Sequence, residues 1–146
     1  MKILVLGGTG AIGRPLVKVL VRRKMDVYVT SRKKNESSQE YVHYIQGNAL
    51  DLCFLKELLA EKYDVIIDFM VYTYEEFKER YELFLNSTDQ YIFFSSARVY
   101  SDSLVPITEN SERLLDVCKD QEYLSKSEYA LNKAREEDCL LKASKK

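Results

Sequence analysis

The chain has 146 residues and a nearly balanced charge, with 22 Lys and Arg against 23 Asp and Glu and a net charge of −1. This length suits one domain with one core, since domains cluster at about 100–150 residues. The charge balance argues against nucleic acid or an anionic membrane as the main partner. No run approaches the roughly 18 apolar residues of a membrane span. The expected ligand is therefore a small molecule.

Cysteine and histidine usage excludes several kinds of site. Cys53, Cys118 and Cys139 are widely spaced and contain no CxxC pair, which predicts neither a disulfide framework nor a zinc site. His43 is the only histidine, so we expect it to be a surface or strand residue, and we expect no metal site. This cysteine pattern fits a reducing cytoplasm best. The chain begins in a predicted strand with no basic segment ahead of a long apolar stretch, so we expect a soluble protein that is not secreted.

Four of the five glycines lie at positions 7–13, directly after an apolar run. The spacing Gly7-x-x-Gly10-x-x-Gly13 precedes an apolar segment, Leu16–Val21, that predicts a helix. Gly7 would form the tight turn, Gly10 would let the backbone approach a pyrophosphate, and Gly13 would let the helix pack closely on the strand. The N–H groups at the helix start would hold the phosphates. A glycine-rich turn without a ligand is the alternative, and the surrounding order of elements favours a dinucleotide site.

Short runs rich in Val, Ile, Phe and Tyr predict five strands. Helical patterns lie between most of them, which indicates a parallel sheet covered on both faces, with right-handed crossovers. The predicted fold class is therefore α/β, a doubly wound, Rossmann-like parallel sheet of order 3-2-1-4-5. The predicted strands are Lys2–Leu6, Asp26–Thr30, Val42–Gln46, Asp64–Phe69 and Tyr91–Ser95.

Two further helices are predicted between the later strands. Asp51 can cap a helix that runs to about Lys62. An apolar stripe predicts another helix over Glu75–Asn86, and the stripe could pack on its own sheet or extend the surface of a homodimer. The stripe consists of Phe77, Tyr81, Phe84 and Leu85.

The stretch 101–121 interrupts the alternation of strands and helices. It contains Pro106 and several Ser and Asp residues, with one short helical pattern around Ser111–Lys119. We interpret it as an irregular active-site excursion within a single dinucleotide-binding domain over residues 1–146. The end at Lys145-Lys146 is expected to be a frayed tail.

Hydroxyl and amine side chains follow the fifth predicted strand. That strand runs into Ser95-Ser96, at the edge of the sheet where open α/β sheets bind ligands. Tyr129 and Lys133 lie four residues apart and therefore on one helix face. Ser125-x-x-Glu128 has the form of a capping box, which predicts a helix start near Lys126. A second Tyr-x-x-x-Lys match at position 74 precedes the fifth strand, so position favours the later pair.

Three motifs occur in this order along the chain: the glycine turn, Ser95-Ser96-x-x-Val99-Tyr100 and Tyr129-x-x-x-Lys133. With these motifs the chain resembles the extended short-chain dehydrogenase/reductase family. The resemblance is to its NAD-dependent nucleotide-sugar epimerases, dehydratases and reductases. It implies that Ser96 orients a substrate oxygen, that Tyr129 is the catalytic phenol and that Lys133 binds the cofactor ribose. A nearby ammonium favours an ionised phenol, so Lys133 would help Tyr129 to exchange a proton with the substrate. The expected chemistry is hydride transfer to or from a nicotinamide.

The resemblance leaves the cofactor open between NADP and NAD. No carboxylate follows the second strand to bind a ribose 2′-hydroxyl, and Ser31 with Arg32 could hold a 2′-phosphate, which favours NADP. Asn48 stands where the family has an adenine-contacting aspartate, and Phe69-Met70 stands where it has small residues. The expected cofactor-binding residues are Gly7, Thr9, Gly10, Ala11, Ile12, Gly13, Ser31, Arg32, Asn48, Ala49, Phe69, Met70 and Lys133.

Members of the family continue with a sixth strand and a substrate-binding region, and neither is found in Glu136–Lys146. A substrate domain is therefore expected to be absent. The expected function is that of an NAD(P)-dependent oxidoreductase or epimerase/dehydratase acting on a nucleotide-sugar-like substrate. The alternative is a truncated, non-catalytic NAD(P)-binding module.

Overall fold

The computed structural model describes residues 1–37 and 39–143, and within them five parallel strands form one sheet in the order β3-β2-β1-β4-β5. The predicted α/β class and strand order are confirmed. The expected tail at Lys145-Lys146 lies outside the described residues. The strands are β1 (Lys2–Leu6), β2 (Asp26–Ser31), β3 (Val42–Gln46), β4 (Tyr63–Asp68) and β5 (Thr88–Phe93).

Helices and short turns connect the strands. None of the helices in the described ranges is long and apolar enough to cross a membrane. They are α1 (Gly13–Arg22), α2 (Leu52–Leu58), α3 (Tyr74–Lys78), α4 (Tyr81–Asn86), α5 (Leu114–Val117), α6 (Gln121–Leu124) and α7 (Tyr129–Lys142), with a 3-10 turn at Ala97–Val99.

The chain divides into two compact units. Unit 1 consists of Met1–Val71 and Glu82–Phe94 and contains the whole sheet with α1 and α2. Unit 2 consists of Tyr72–Tyr81 and Ser95–Lys146 and contains α3, the 3-10 turn and α5 to α7. The expectation that residues 1–146 act as one dinucleotide-binding domain stays a prediction.

The core of unit 1 follows from the alternation of side chains along the strands. Ile3 and Val5 on β1 lie on one face of the sheet in a buried cluster with Val27 and Val29 of β2 and with Val17 of α1. Leu4 and Leu6, which alternate with these residues along β1 and lie on the other face of the sheet, are also completely buried. The central strand is therefore apolar on both faces, as a parallel sheet with covered faces requires.

Asp51 caps α2, as predicted. Its Oδ1 accepts hydrogen bonds from the N–H groups of Cys53 at 2.8 Å and Phe54 at 3.2 Å. The helix ends at Leu58, about one turn before the predicted end at Lys62, because the chain turns there to enter β4 at Tyr63.

The predicted helix over 75–86 is divided into two. Arg80 lies between α3 and α4, and its N–H donates to the Phe77 carbonyl three residues earlier, which tightens the turn and ends the first helix. The Arg80 side chain is buried, and its guanidinium lies 5.0 Å from the centre of the Tyr72 ring. Phe77 and Phe84, two members of the predicted stripe, are completely buried within the chain.

The fifth strand begins and ends earlier than predicted, at Thr88 and Phe93 rather than at Tyr91 and Ser95. Its first half is polar, and Thr88 pairs with Tyr63 of β4. Thr88 is buried, whereas Asp89 and Gln90 are exposed at this edge of the described sheet. His43 lies on β3, is exposed as expected, and stacks on the Tyr28 ring at 4.7 Å.

The excursion at 101–121 contains a loop whose two ends are hydrogen-bonded to each other. Tyr100 and Arg113 form an antiparallel bridge, and the Ser101 N–H donates to the Glu112 carbonyl at 2.9 Å. The Arg113 guanidinium bonds Asp116, Glu137 and Asp138, and these carboxylates raise its pKa further above its ordinary value. Arg113 therefore ties the end of the loop to α7. The helical pattern predicted over 111–119 forms only the four residues of α5.

Candidate functional site

The glycine turn lies between β1 and α1, in unit 1. Gly7 has a left-handed backbone with φ of 71°, which an L side chain rarely adopts, and the Gly10 N–H donates to its carbonyl at 3.2 Å. The Gly7 N–H donates to Thr30 Oγ1 at 3.2 Å, which ties the turn to β2. The residue before α1 is Ile12, whose side chain provides no cap hydrogen bond. The amides at the start of this helix are thus suited to hold an anion.

Close packing in the turn involves Gly8, which the motif did not single out. A Cβ at Gly13 would lie 2.6 Å from the Cα of Gly8, so the start of α1 approaches the backbone of Gly8 and not the strand. A Cβ at Gly8 would lie 2.8 Å from the γ carbons of Val5 and Val29. The packing predicted for Gly13 is therefore shared by two glycines, of which Gly8 contacts the sheet.

A cleft of about 300 Å³ opens at the carboxyl ends of the strands of unit 1. Six expected cofactor residues line it, namely Thr9, Ser31, Arg32, Asn48, Ala49 and Met70. The other lining residues are Thr30, Gly47, Leu50 and Val71. Each of these four residues is adjacent in sequence to an expected residue. A prediction that included the neighbours of each expected residue after a strand would therefore have named them. The expected residues Gly7, Gly10, Ala11, Ile12 and Gly13 belong to the turn and the start of α1.

The segment after β2 carries positive charge. Ser31 Oγ is buried and accepts hydrogen bonds from the Lys33 N–H at 3.2 Å and from Asn35 Nδ2 at 2.7 Å, which orders the segment. A second cleft next to it, of about 580 Å³, is lined by Arg14, Arg32 and Lys33 together with Ser31. These three cations have no ion-pair partner within residues 1–37 and 39–143. Arg14 Nε donates to the Thr9 carbonyl at 2.7 Å, and the guanidinium still adds positive charge beside Arg32 and Lys33.

The segment after β3 forms the opposite wall of the first cleft. Asn48 is exposed, and its Oδ1 accepts a hydrogen bond from the Leu50 N–H at 3.2 Å. Ala49 is buried. The Gly47 N–H donates to the Ser31 carbonyl at 2.9 Å, which fixes this wall to β2.

Bulky residues follow β4, where the resembled family has small ones. Asp68 is buried and accepts hydrogen bonds from the Met70 N–H and the Tyr91 hydroxyl, each at 2.8 Å. Phe69 packs on the Phe94 ring at 4.4 Å and does not line the cleft. Met70 lines it, and a Cβ at Gly7 would lie 3.1 Å from Met70 Sδ. Met70 therefore narrows the space beside the glycine turn.

The two serines after β5 belong to unit 2 and have different partners. Ser95 Oγ donates to Glu137 Oε1 on α7. Ser96 caps the 3-10 turn, since its Oγ accepts a hydrogen bond from the Arg98 N–H at 3.2 Å. Ser96 is half-buried, and its hydroxyl proton remains available for a further hydrogen bond.

The capping box predicted at Ser125 and Glu128 is wrong. Ser125 Oγ donates to the Glu122 carbonyl at the end of α6, and Glu128 itself caps α7 by accepting from the N–H groups of Ala130 at 2.7 Å and Leu131 at 3.4 Å. Burial raises the pKa of Glu128, but these hydrogen bonds and the charge of Arg98 outweigh it, and the pKa lies below its ordinary value. Tyr129 is consequently the first residue of its helix, with 36% of its surface exposed.

Lys133 lies one turn after Tyr129 on α7 and is almost fully buried. Its Nζ donates to Glu136 Oε2 at 3.0 Å, and the Glu136 side chain has no exposed surface. The charge of Lys133 is therefore balanced by a carboxylate on its own helix. The sequence contained this signal, because Glu136 follows Lys133 at the spacing of a helical ion pair.

The sheet order and the glycine turn define a Rossmann-type fold. Residues 3–146 match the model of the NAD dependent epimerase/dehydratase family, and the chain belongs to that family. It is 34% identical over 117 residues to the chloroplast stem-loop binding protein of 41 kDa b from Arabidopsis thaliana, covering 70% of this chain and 31% of that protein.

Solved structures share this fold. The UDP-Glc/GlcNAc 4-epimerase of Campylobacter jejuni superposes with a TM-score of 0.73 at 20% identity, over 98% of this chain and 49% of that chain. The enzyme WbmH of Bordetella bronchiseptica, solved with NAD+, superposes with a TM-score of 0.72 at 15% identity, over 97% of this chain and 52% of that chain. The chain thus spans about half the length of these structures.

Proposed function

We propose that this chain binds NAD(P) in unit 1 and serves an epimerase/dehydratase or oxidoreductase reaction on a nucleotide-sugar-like substrate. The observation that carries the proposal is the convergence of six expected cofactor residues, from four separate segments of the chain, on one cleft beside the glycine turn. Membership of the NAD dependent epimerase/dehydratase family supports it. A related fold is solved with NAD+, and another is a UDP-sugar 4-epimerase.

The residues around the cleft fit the parts of a dinucleotide. The amides at the start of α1 would hold the pyrophosphate, Asn48 would contact the adenine edge, and Ser31 with Arg32 would hold a ribose 2′-phosphate. The nicotinamide, when bound, supplies hydride transfer. Arg14 and Lys33 line the cleft beside Arg32 and add positive charge there, which supports NADP over NAD.

In unit 2, we assign the proton-transfer chemistry to Tyr129. Tyr129 is partly exposed, and its hydroxyl would exchange a proton with a substrate hydroxyl or carbonyl oxygen, while Ser96 would donate a hydrogen bond to the same oxygen. From the resemblance, Lys133 would contact the cofactor ribose; its ammonium is paired with Glu136. Three unpaired cysteines favour a reducing compartment, and we place the protein in the cytoplasm.

Fluorescence titration of the purified chain with NADPH and with NADH tests the cofactor site. We expect tighter binding of NADPH, and we expect Arg32→Gln to weaken NADPH binding about tenfold while changing NADH binding less than about twofold. Arg22→Gln, an exposed arginine at the end of α1, is the matched control. Absence of binding by either nucleotide would contradict the proposal.

Tyr129→Phe tests the catalytic assignment in a hydride-transfer assay with UDP-sugars. The variant should lose at least about a hundredfold in kcat, because general acid–base catalysis contributes on that order, while nucleotide binding stays unchanged. Tyr74→Phe, in the second Tyr-x-x-x-Lys match, is the control and should retain its rate. A fully active Tyr129→Phe variant would show that this phenol is not the proton donor.

A non-catalytic NAD(P)-binding module is the second candidate. Two observations favour it. Met70 narrows the space for a cofactor beside the glycine turn, and the ion pair with Glu136 engages the ammonium of Lys133. Nucleotide binding without turnover of any sugar nucleotide by the wild-type chain would support this candidate over the first.

A further inference from the structure

We propose that Arg98 is a positioning residue for the phenol of Tyr129, holding its ring against the turn that contains Ser96. The proposal rests on the function assigned above to Tyr129, and it concerns a side chain to which that function gave no role. All the groups involved lie in unit 2.

The first observation is the position of the guanidinium over the aromatic ring. The Arg98 Cζ lies 5.6 Å from the centre of the Tyr129 ring, within the range of a cation–π contact. A tyrosine ring at the first position of a helix has few neighbours on its own helix to fix its rotamer. A cation on its face restricts that freedom.

The second observation is that the guanidinium is itself held in place. Arg98 Nη2 donates to Glu128 Oε1 at 2.8 Å. The other carboxylate oxygen of Glu128 accepts the hydrogen bonds that cap α7, as well as one from the Tyr123 hydroxyl at 3.3 Å. The guanidinium therefore contacts both the residue that caps the helix and the ring of the next residue.

The third observation is the backbone of Arg98. Its N–H donates to Ser96 Oγ at 3.2 Å, so the main chain of Arg98 orients the serine hydroxyl while its side chain contacts the tyrosine ring. One residue thus links the two hydroxyls that would bind the same substrate oxygen. The Arg98 side chain is 67% exposed, so its removal is not expected to unfold the protein.

The test uses the 146-residue chain with ring-13C-labelled tyrosine, and the Tyr129 resonance is identified by its loss in Tyr129→Phe. Arg98→Met keeps the length of the side chain and removes the charge, and it should move the Tyr129 resonance by more than its line width. Arg98→Lys retains a cation and should restore at least half of that shift. Arg22→Met, on the exposed end of α1, should leave the resonance in place. A Tyr129 resonance unchanged in Arg98→Met overturns the proposal, as does a shift that Arg98→Lys fails to reduce.

Kinetics give a second readout. Arg98→Met should lower kcat about tenfold with KM changed less than about twofold, and Arg98→Lys should recover part of the loss. Unaltered kcat in Arg98→Met, alongside an inactive Tyr129→Phe, would overturn the proposed role of Arg98. An active Tyr129→Phe would instead refute the proposed proton-transfer role of Tyr129, and the spectroscopic result would then report only the contact between Arg98 and the Tyr129 ring.

Discussion

Tyr63 shows how burial of a single residue changes its chemistry. It is 3% exposed, its ring lies edge-on to Tyr28 at 5.8 Å, and the ammonium of Lys2 lies 4.7 Å from its centre. Burial, with a smaller contribution from the charge of Glu61, raises the pKa of Tyr63 to about 12. The phenol therefore stays protonated in the folded chain under conditions in which an unfolded chain would lose the proton.

This difference predicts a loss of stability at alkaline pH. A raised pKa in the folded state means that the stabilisation is complete below the ordinary pKa of 10 and is lost as pH rises toward 12. Between about pH 9 and pH 11.5, the free energy of unfolding of the wild type should fall by about 2 kcal/mol more than that of Tyr63→Phe. Urea unfolding at several pH values measures this, and equal losses in the two proteins would contradict it.

Single residues also show which parts of the candidate site can be predicted. The positions of Gly7 in the turn and of the residues after β2 and β3 beside the cleft could be predicted, because a turn and a strand end impose local requirements on sequence. The packing of Gly8 and the contact of Arg98 were not predicted, since each depends on a neighbour distant in the chain, Val29 for Gly8 and Tyr129 for Arg98. Such contacts follow from the fold and leave no spacing pattern.

At the scale of elements, the ends of helices are set by individual caps. Asp51 accepts two hydrogen bonds at the start of α2, Glu128 accepts two at the start of α7, and Thr73 forms a capping box with Glu76 at the start of α3. In that box, the hydrogen bond from the Thr73 N–H lowers the pKa of Glu76.

Removal of the Asp51 cap should destabilise the protein measurably. Asp51→Ala leaves two amide donors at the start of α2 without their acceptor, and we expect a loss of about 1 kcal/mol in the free energy of unfolding. Asp51→Asn retains an acceptor oxygen and should lose no more than a few tenths of a kcal/mol. Chemical denaturation compares the variants, and equal losses would mean that charge rather than the hydrogen bonds stabilises this end.

The elements that were predicted correctly are those with a periodic apolar pattern. β1 and β3 have the predicted bounds, and apolar residues occupy most of their positions. The start of β5 was missed because Thr88 and its neighbours are polar. The start of α7 was misplaced because Ser125 lies at the C-terminal cap of α6, and Glu128 caps α7 instead. Sequence alone does not distinguish a capping serine from one that follows a helix.

At the scale of the whole molecule, the near-zero net charge conceals an asymmetry along the chain. Residues 1–34 contain nine Lys and Arg and one Asp, a formal charge of +8, so the remaining residues carry −9. The positive segment includes Arg14, Arg32 and Lys33, which line the second cleft of unit 1. An anion that approaches this cleft therefore meets a positive field that the total charge does not reveal.

The asymmetry predicts how salt affects nucleotide binding. NADPH carries one phosphate more than NADH, so its attraction to these cations should be screened more strongly. Raising NaCl from about 20 mM to about 500 mM should weaken NADPH binding on the order of tenfold and NADH binding by less than about threefold. Titrations at several salt concentrations measure how the dissociation constant of each nucleotide depends on salt. An equal dependence for NADPH and NADH would mean that the additional phosphate of NADPH does not lie near these cations.

The loop that follows Tyr100 has a consequence for how this architecture can diversify. Its two ends are joined by the bridge to Arg113 and by the Ser101–Glu112 hydrogen bond, and its middle exposes Leu104, Val105 and Ile107. The entropic cost of a longer closed loop grows only slowly with its length. The loop can therefore accept inserted residues between these ends at a small entropic cost. The ion pairs of Arg113 with Glu137 and Asp138 would still hold the base of the loop to α7, the helix that carries Tyr129.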